Sequence, residues 1–278
     1  MDKAIGVIDS GVGGLTVVRE IMRQLPQERV FYFGDTARCP YGPRSTDEVR
    51  TFTLQMVSYL LRQKIKALVI ACNTATAVVF DEIMQHAPIP VIGVIDPGAR
   101  TAIKETKSGV IGVIGTVGTI RSRAYEKALK RIAPDVEVYS YACPDFVPLV
   151  ESGIPDPAAA LEIVKNSLQP LTTTSIDTLI LGCTHYPLLA DVIAQVMGKE
   201  VKLINSAKET ARELSSVLHY RKLFTENSEN VPPTHKFFVS GSSSVMKVIA
   251  QSFLHVPLDL QQVDVSNEKV CTISWTKT

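Results

Sequence analysis

Two cysteines close apolar runs that read as buried strands. Cys72 follows Ala67-Leu68-Val69-Ile70-Ala71, and Cys183 follows Thr178-Leu179-Ile180-Leu181-Gly182. Each leads into polar side chains, Asn73-Thr74 in one case and Thr184-His185 in the other. A single cysteine in such a place is ordinarily a small core residue. A pair at equivalent places suggests a base and an acid: a thiolate removes a proton from one face of a carbon centre while a thiol supplies one to the other face, so the centre is inverted. A free thiol is little ionised at neutral pH, so each cysteine needs a helper. Asp9, after the apolar Ile5-Gly6-Val7-Ile8, is expected beside Cys72. His185 is expected to serve Cys183, oriented by a carboxylate such as Glu151. The hydroxyl and amide groups of Ser10, Asn73, Thr74, Thr116, Thr119 and Thr184 suit substrate carboxylates, and nearby helix N-termini add N–H donors. Asp9 or the Tyr41-Gly42 corner is a place for an ammonium group.

These residues are carried by a pattern that occurs twice. Ile5-Gly6-Val7-Ile8 runs into Asp9-Ser10-Gly11-Val12-Gly13-Gly14 and then a helical pattern with Leu15, Val18, Ile21, Met22 and Leu25 on one face. Displaced by 106 residues, Ile111-Gly112-Val113-Ile114 runs into Gly115-Thr116-Val117-Gly118-Thr119 and a helix carrying Tyr125, Ala128, Leu129 and Ile132. At the same offset Val30-Phe31-Tyr32-Phe33 is matched by Val136-Glu137-Val138-Tyr139. Strand runs alternating with helical patterns imply parallel sheets. The expected fold is therefore α/β, with two similar domains, each a mostly parallel sheet flanked by helices, related by a pseudo-twofold duplication with the active site between them. Ligands bind beyond the carboxyl ends of such strands, which would place both cysteine loops on one cleft. Asp96-Pro97-Gly98 reads as a turn that bridges the halves. The chain from about Glu209, including Lys236-Phe237-Phe238-Val239 and a helix through Leu254, has no counterpart in the repeat. It is expected to pack back on the first domain, giving residues 1–96 with 209–278 as one domain and 97–208 as the other. The polar stretch from Thr225 to Pro233 reads as a loop.

Composition narrows the function classes. The chain has 278 residues, 45% of them hydrophobic, which is enough for a substantial core. A net charge of +1 without a basic stripe gives no electrostatic footprint for nucleic acid. No apolar run is long enough to span a bilayer and no secretory leader is evident, so no membrane is expected and the location is expected to be cytoplasmic. The five cysteines include no C-x-x-C pair, so neither a disulfide framework nor a metal is expected. Cys39, Cys143 and Cys271 lack equivalents in the repeat and read as packing thiols. His86, His219, His235 and His255 are scattered and form no metal pattern. The Gly11-x-Gly13 loop is a poor dinucleotide site, because Thr16 stands at the third glycine position and Asp9 would repel a pyrophosphate. Lys127, Lys130 and Arg131 read as a solvated helix face.

The ordered set I-G-V-I-D-S-G-V-G-G at the N-terminus, G-D-T-A-R-C-P-Y-G at 34–42, A-C-N-T-A-T at 71–76 and L-G-C-T-H-Y-P at 181–187 resembles the glutamate racemase family of the aspartate/glutamate racemase superfamily. The resemblance implies an isomerase that needs no cofactor and uses Cys72 and Cys183 for proton transfer. It implies substrate contacts at Asp9, Ser10, Tyr41, Gly42, Asn73, Thr74, Thr184 and His185, and raises Glu151 as the partner of His185. It further implies glutamate as the small-molecule substrate, a homodimer, and a role in supplying D-glutamate for peptidoglycan in cell wall biogenesis.

Overall fold

The computed structural model describes residues 3–153, 156–225, 232–254, 259–266 and 268. The first half contains β1 (Ile5–Asp9), α1 (Leu15–Gln24), β2 (Val30–Gly34), α2 (Thr46–Arg62), β3 (Ala67–Ile70), α3 (Asn73–His86) and β4 (Val91–Gly93). After α4 (Ile95–Glu105) the second half follows with β5 (Val110–Gly115), α5 (Val117–Ser122), α6 (Ala124–Ile132) and β6 (Glu137–Ala142). It continues with α7 (Phe146–Glu151), α8 (Pro157–Thr172), β7 (Thr178–Gly182), a 3-10 turn over Tyr186–Leu189, α9 (Ala190–Met197) and β8 (Lys202–Ile204). The chain ends, among the described residues, with α10 (Ser206–Tyr220), β9 (Lys236–Val239), α11 (Ser243–Leu254) and β10 (Leu260–Gln262).

All described strand pairings are parallel. The second sheet has the order β6-β5-β7-β8, and the first contains the same arrangement, β2-β1-β3-β4, extended at the β2 edge by β9 and β10. The duplication read from the 106-residue offset is thus matched strand for strand. The inner strands β1, β2, β3 and β7 are covered on both sides and are buried along their whole length rather than alternating with exposed residues, whereas the edge strands β6 and β10 carry polar, exposed positions. Ile5, Val7, Tyr32 and Val69 face one core, with Leu214 and Leu218 of α10. Ile8, Phe31, Phe33 and Ile70 face the other, with residues of α2 and α3. In each sheet the chain reverses its direction of progress between the first and third strands, β1 with β3 and β5 with β7, and this opens a crevice at their carboxyl ends.

Three local readings differ. Asp96-Pro97-Gly98 does not form a turn; it lies in the first turn of α4. Proline is tolerated there because its missing N–H would have no intrahelical partner, and Asp96 complements the positive helix end. The single helix expected after the second glycine loop is divided into α5 and α6 at Arg123, whose φ is 55°. Ile132, expected on the buried face of that helix, is 42% exposed at its end. Residues 226–231 of the expected loop, His255 and Cys271 lie outside the described residues. Among the described residues no helix is long and apolar enough to cross a membrane.

Candidate active site

β3 delivers Cys72 to the start of α3, where the residue serves as N-cap. Its Sγ accepts a hydrogen bond from Ala75 N at 3.5 Å and lies 3.6 Å from Ser10 Oγ. A helix N-terminus favours an anion, here a thiolate. Burial opposes it: with the Asp9 charge, it pushes the Cys72 thiol up to about 12, despite the two hydrogen bonds. Asp9 was expected beside this cysteine, yet its own hydrogen bonds run elsewhere. Oδ2 accepts from Gly11 N and Gly14 N, both at 3.0 Å, and Oδ1 accepts from Thr184 Oγ1 at 3.1 Å. Asp9 therefore shapes the glycine loop and reaches the other half, acting on Cys72 through its charge. Its full burial raises its carboxyl above the ordinary range, and His185 pulls in the opposite direction.

β7 delivers Cys183 to a corner that continues into a 3-10 turn, so no long helix begins there. The neighbour is His185 instead, with Nδ1 3.8 Å from Cys183 Sγ and Nε2 2.7 Å from Glu151 Oε1. When Nε2–H donates to Glu151, Nδ1 is free to accept the thiol proton. Burial works against a charged imidazole here, but the bonds to Cys183 and Glu151 outweigh it and bring His185 up to about 10. Burial likewise raises the Glu151 carboxyl, while His185 draws it below the usual range.

The two halves meet around these thiols. Thr74 Oγ1 lies 2.8 Å from Thr116 Oγ1 and 3.2 Å from Thr119 Oγ1, so a hydroxyl cluster joins α3 to the β5 end. Gly118 N donates to Gly42 O at 2.9 Å. Both glycines are needed for that approach: a Cβ on Gly42 would sit 2.7 Å from Thr116 Cβ, and one on Gly118 would sit 3.0 Å from Gly42 O. Tyr125 OH donates to Asn73 Oδ1 at 2.7 Å, which fixes the amide and leaves its NH2 as the remaining donor. Ser10, Asn73, Thr74, Thr116, Thr184 and His185 line one small cavity with Cys72, Cys183, Tyr41 and Gly42. Its free space is about 10 Å³, room for about one water molecule.

Thr119, Asp9 and Glu151 stand one layer behind that lining. The Tyr41 phenol points away from it, donating to Asp35, a buried carboxylate that also receives Arg38 Nε and Ser240 Oγ. An ammonium group at this corner would meet backbone rather than the phenol. Pro40 and Val147 line the cavity without having been anticipated, and Tyr125 was read only as a core residue. Nothing in the sequence marks Val147, whereas Tyr125 is a buried phenol that had to find a partner. Cys143 is a buried core thiol, as expected. Cys39 instead borders the site, 3.8 Å from Glu151 Oε1.

A sequence profile of the Asp/Glu/hydantoin racemase family matches residues 5–214. A glutamate racemase from Bacillus cereus is 56% identical over 259 residues, covering 93% of this chain and 96% of that protein. The structure of glutamate racemase isoform RacE1 from Bacillus anthracis superposes with a TM-score of 0.91 at 51% identity, covering 94% and 97% of the two chains. A glutamate racemase from Francisella tularensis in complex with D-glutamate gives 0.88 at 35% identity, covering 95% and 98%.

Proposed function

This chain belongs to the Asp/Glu/hydantoin racemase family, among its glutamate racemases, and on that premise we propose that it interconverts L- and D-glutamate through Cys72 and Cys183 without a cofactor. One observation carries the mechanism. The two cysteines follow equivalent strands, β3 and β7, and line one cavity from opposite halves. A Cα held between them is exposed to a base on one face and an acid on the other. In the L-to-D direction the Cα–H proton passes to the Cys183 thiolate, and the Cys72 thiol delivers its proton to the opposite face. The reverse direction exchanges these roles. His185 accepts the Cys183 proton through Nδ1 and Glu151 holds the resulting imidazolium, while the α3 N-terminus and Ser10 serve the Cys72 thiolate. The Asn73 NH2 and the Ser10, Thr74, Thr116 and Thr184 hydroxyls receive substrate carboxylates, with Thr119 holding the hydroxyl cluster from behind. Asp9, from the layer behind the lining, or the Tyr41-Gly42 corner receives the ammonium group. A relative's complex with D-glutamate supports this choice of substrate.

The cavity of about 10 Å³ is too small for glutamate, so the halves must part to admit it. In that motion the described residues of 1–96 and 209–278 would be one lobe and those of 97–208 the other. The setting we propose is the cytoplasm, as a homodimer, with D-glutamate supplied for peptidoglycan. In deuterated water, pure L-glutamate should yield D-glutamate carrying deuterium at Cα, without added pyridoxal phosphate. Serine at position 72 or 183 should abolish turnover, because a hydroxyl is a far weaker base at neutral pH. Full turnover by Cys72→Ser or Cys183→Ser would refute the two-thiol reading.

A further inference from the structure

Cys39 has no part in the proton transfer, yet it stands beside its machinery. Cys39 Sγ, a carboxylate oxygen of Glu151 and a ring nitrogen of His185 all lie within 4.8 Å of one another. The recorded contacts are 3.8 Å from Sγ to Glu151 Oε1 and 2.7 Å from that oxygen to His185 Nε2. Around a tetrahedral zinc ion, with bonds of about 2.0–2.3 Å, ligand atoms stand roughly 3.3–3.6 Å apart. The sulfur contact is already close to that, and the Glu151–His185 contact would open by about 0.6 Å, within the reach of a glutamate side chain. The three donors come from separate places: the loop after β2, the end of α7 and the corner after β7. Linear spacing therefore gave no sign of them. Gly11 allows the approach of the thiol, since a Cβ there would lie 2.9 Å from Cys39 Sγ and 3.0 Å from Glu151 Oε1.

We propose that Cys39, Glu151 and His185 form an inhibitory site for a divalent transition-metal ion of the zinc class. A thiolate, an imidazole and a carboxylate together select a borderline-soft ion over magnesium or calcium, which prefer all-oxygen sites. Burial, then the charges of Glu151 and Asp9, push the Cys39 thiol well up, so the ion itself must stabilise the thiolate; those same carboxylate charges attract a cation. Cys39 enters as thiolate and His185 as neutral imidazole, and their protons leave to solvent. The inhibitory effect rests on the role of His185 given above. A metal on Nε2 leaves the neutral ring with its proton on Nδ1, so Nδ1 becomes a donor and no longer accepts the Cys183 proton. Because Cys39 belongs to the first half and the other two ligands to the second, the ion would also hold the halves together.

The test uses the full-length chain, freed of metal by chelation and titrated with Co2+ as the probe. One equivalent should produce a thiolate-to-cobalt absorption band in the near ultraviolet, which Zn2+ should bleach. Cys39→Ser and Cys39→Ala should lose the band and weaken binding by about tenfold or more. Cys72→Ser and Cys183→Ser should keep both. Zn2+ should inhibit racemisation reversibly, and the ratio of rates with and without zinc should move about tenfold toward unity in Cys39→Ser. No band in the unsubstituted chain, a band that survives in both Cys39 variants, or one lost with Cys72 or Cys183 would overturn the site. The cobalt signal does not depend on turnover. Failure of the metal site is thus distinguishable from failure of the two-thiol mechanism, which shows as activity in the Cys72 or Cys183 variants.

Discussion

Replacing Glu151 by glutamine isolates the charge that serves Cys183. The substitution keeps the side-chain shape and removes the negative oxygen 2.7 Å from His185 Nε2. A hydrogen bond to a charged group contributes about 1.5–3 kcal/mol net. At about 1.4 kcal/mol per factor of ten, kcat/KM should fall about 10- to 150-fold. Enantiomers have equal free energies in water, so kcat/KM must fall equally from L- and D-glutamate; this internal check is read by following optical rotation or circular dichroism from each side. Stability should change in a defined pH window. His185 is a basic group raised from 6.5 to about 10 in the fold, so its stabilising contribution is complete below 6.5 and is lost as pH rises through about 10. The Tm deficit of Glu151→Gln should therefore be full near pH 6, more than one and a half units above the ordinary ionisation of glutamate at about 4.3, and should close toward pH 10. A variant with kcat/KM within twofold of the parent and an unchanged pH profile would refute the role given to Glu151.

Gly13→Ala should reduce kcat/KM by about 100-fold, because the added Cβ would sit 2.4 Å from Thr184 Oγ1 and 2.5 Å from His185 Nδ1 and must displace the Cys183 corner; steady-state rates within threefold of the parent would count against that corner's role. Lys66→Ala should cost about 3 kcal/mol in urea unfolding, since it strips the cation from buried Glu28 and leaves it, among the described residues, the Thr225 donors. Its kcat should be preserved, the pair lying at the opposite end of the sheet from the cysteines; a parental midpoint, or a collapse of kcat at unchanged stability, would contradict this. KM for L- and D-glutamate should differ by well over twofold in the parent enzyme, with kcat differing by the same factor, and matched constants in the two directions would argue that the two thiols have equivalent support.

Much of the fold was legible because the repeated features are local. The runs Ile5–Ile8 and Ile111–Ile114, each followed by glycines and a helical stripe, announce strand, turn and helix without tertiary information. Cys72 and Cys183 were legible for the same reason, as ends of equivalent strands. What escaped was set by contacts distant in sequence. Asp9 looked like a helper of Cys72, but its donors are the nearby loop amides and Thr184 from the other half. Tyr41 lines the cavity, but its phenol is held by Asp35, and Asp35 could be recognised as a hub only once Arg38 and Ser240 were placed around it. Asp96-Pro97-Gly98 failed for a different reason. The same residues suit a turn and a helix start, and the choice follows from whether an apolar face comes next, as Ile95, Ala99 and Ala102 provide in α4.

The duplication also explains why a symmetric reaction is run by an asymmetric site. At the 106-residue offset Ser10 corresponds to Thr116 and Asp9 to Gly115, while counting from the cysteines pairs Asn73 with Thr184 and Thr74 with His185. The links across the halves run in both directions but one position out of equivalence: Thr184 of the second half donates to Asp9 of the first, and Thr74 of the first bonds Thr116 of the second. Divergence has then separated the helpers. Cys72 has a helix N-terminus and a serine hydroxyl, whereas Cys183 has an imidazole backed by a carboxylate. On the proposed mechanism the state with Cys183 ionised, which would meet L-glutamate, is supported by different groups from the state with Cys72 ionised, which would meet D-glutamate, and we expect the two to differ in free energy. The overall equilibrium cannot express that difference, because the enantiomers are equal in free energy. It must appear in the stabilities of the two enzyme–substrate complexes, raising KM and kcat together for one enantiomer while their ratio stays fixed.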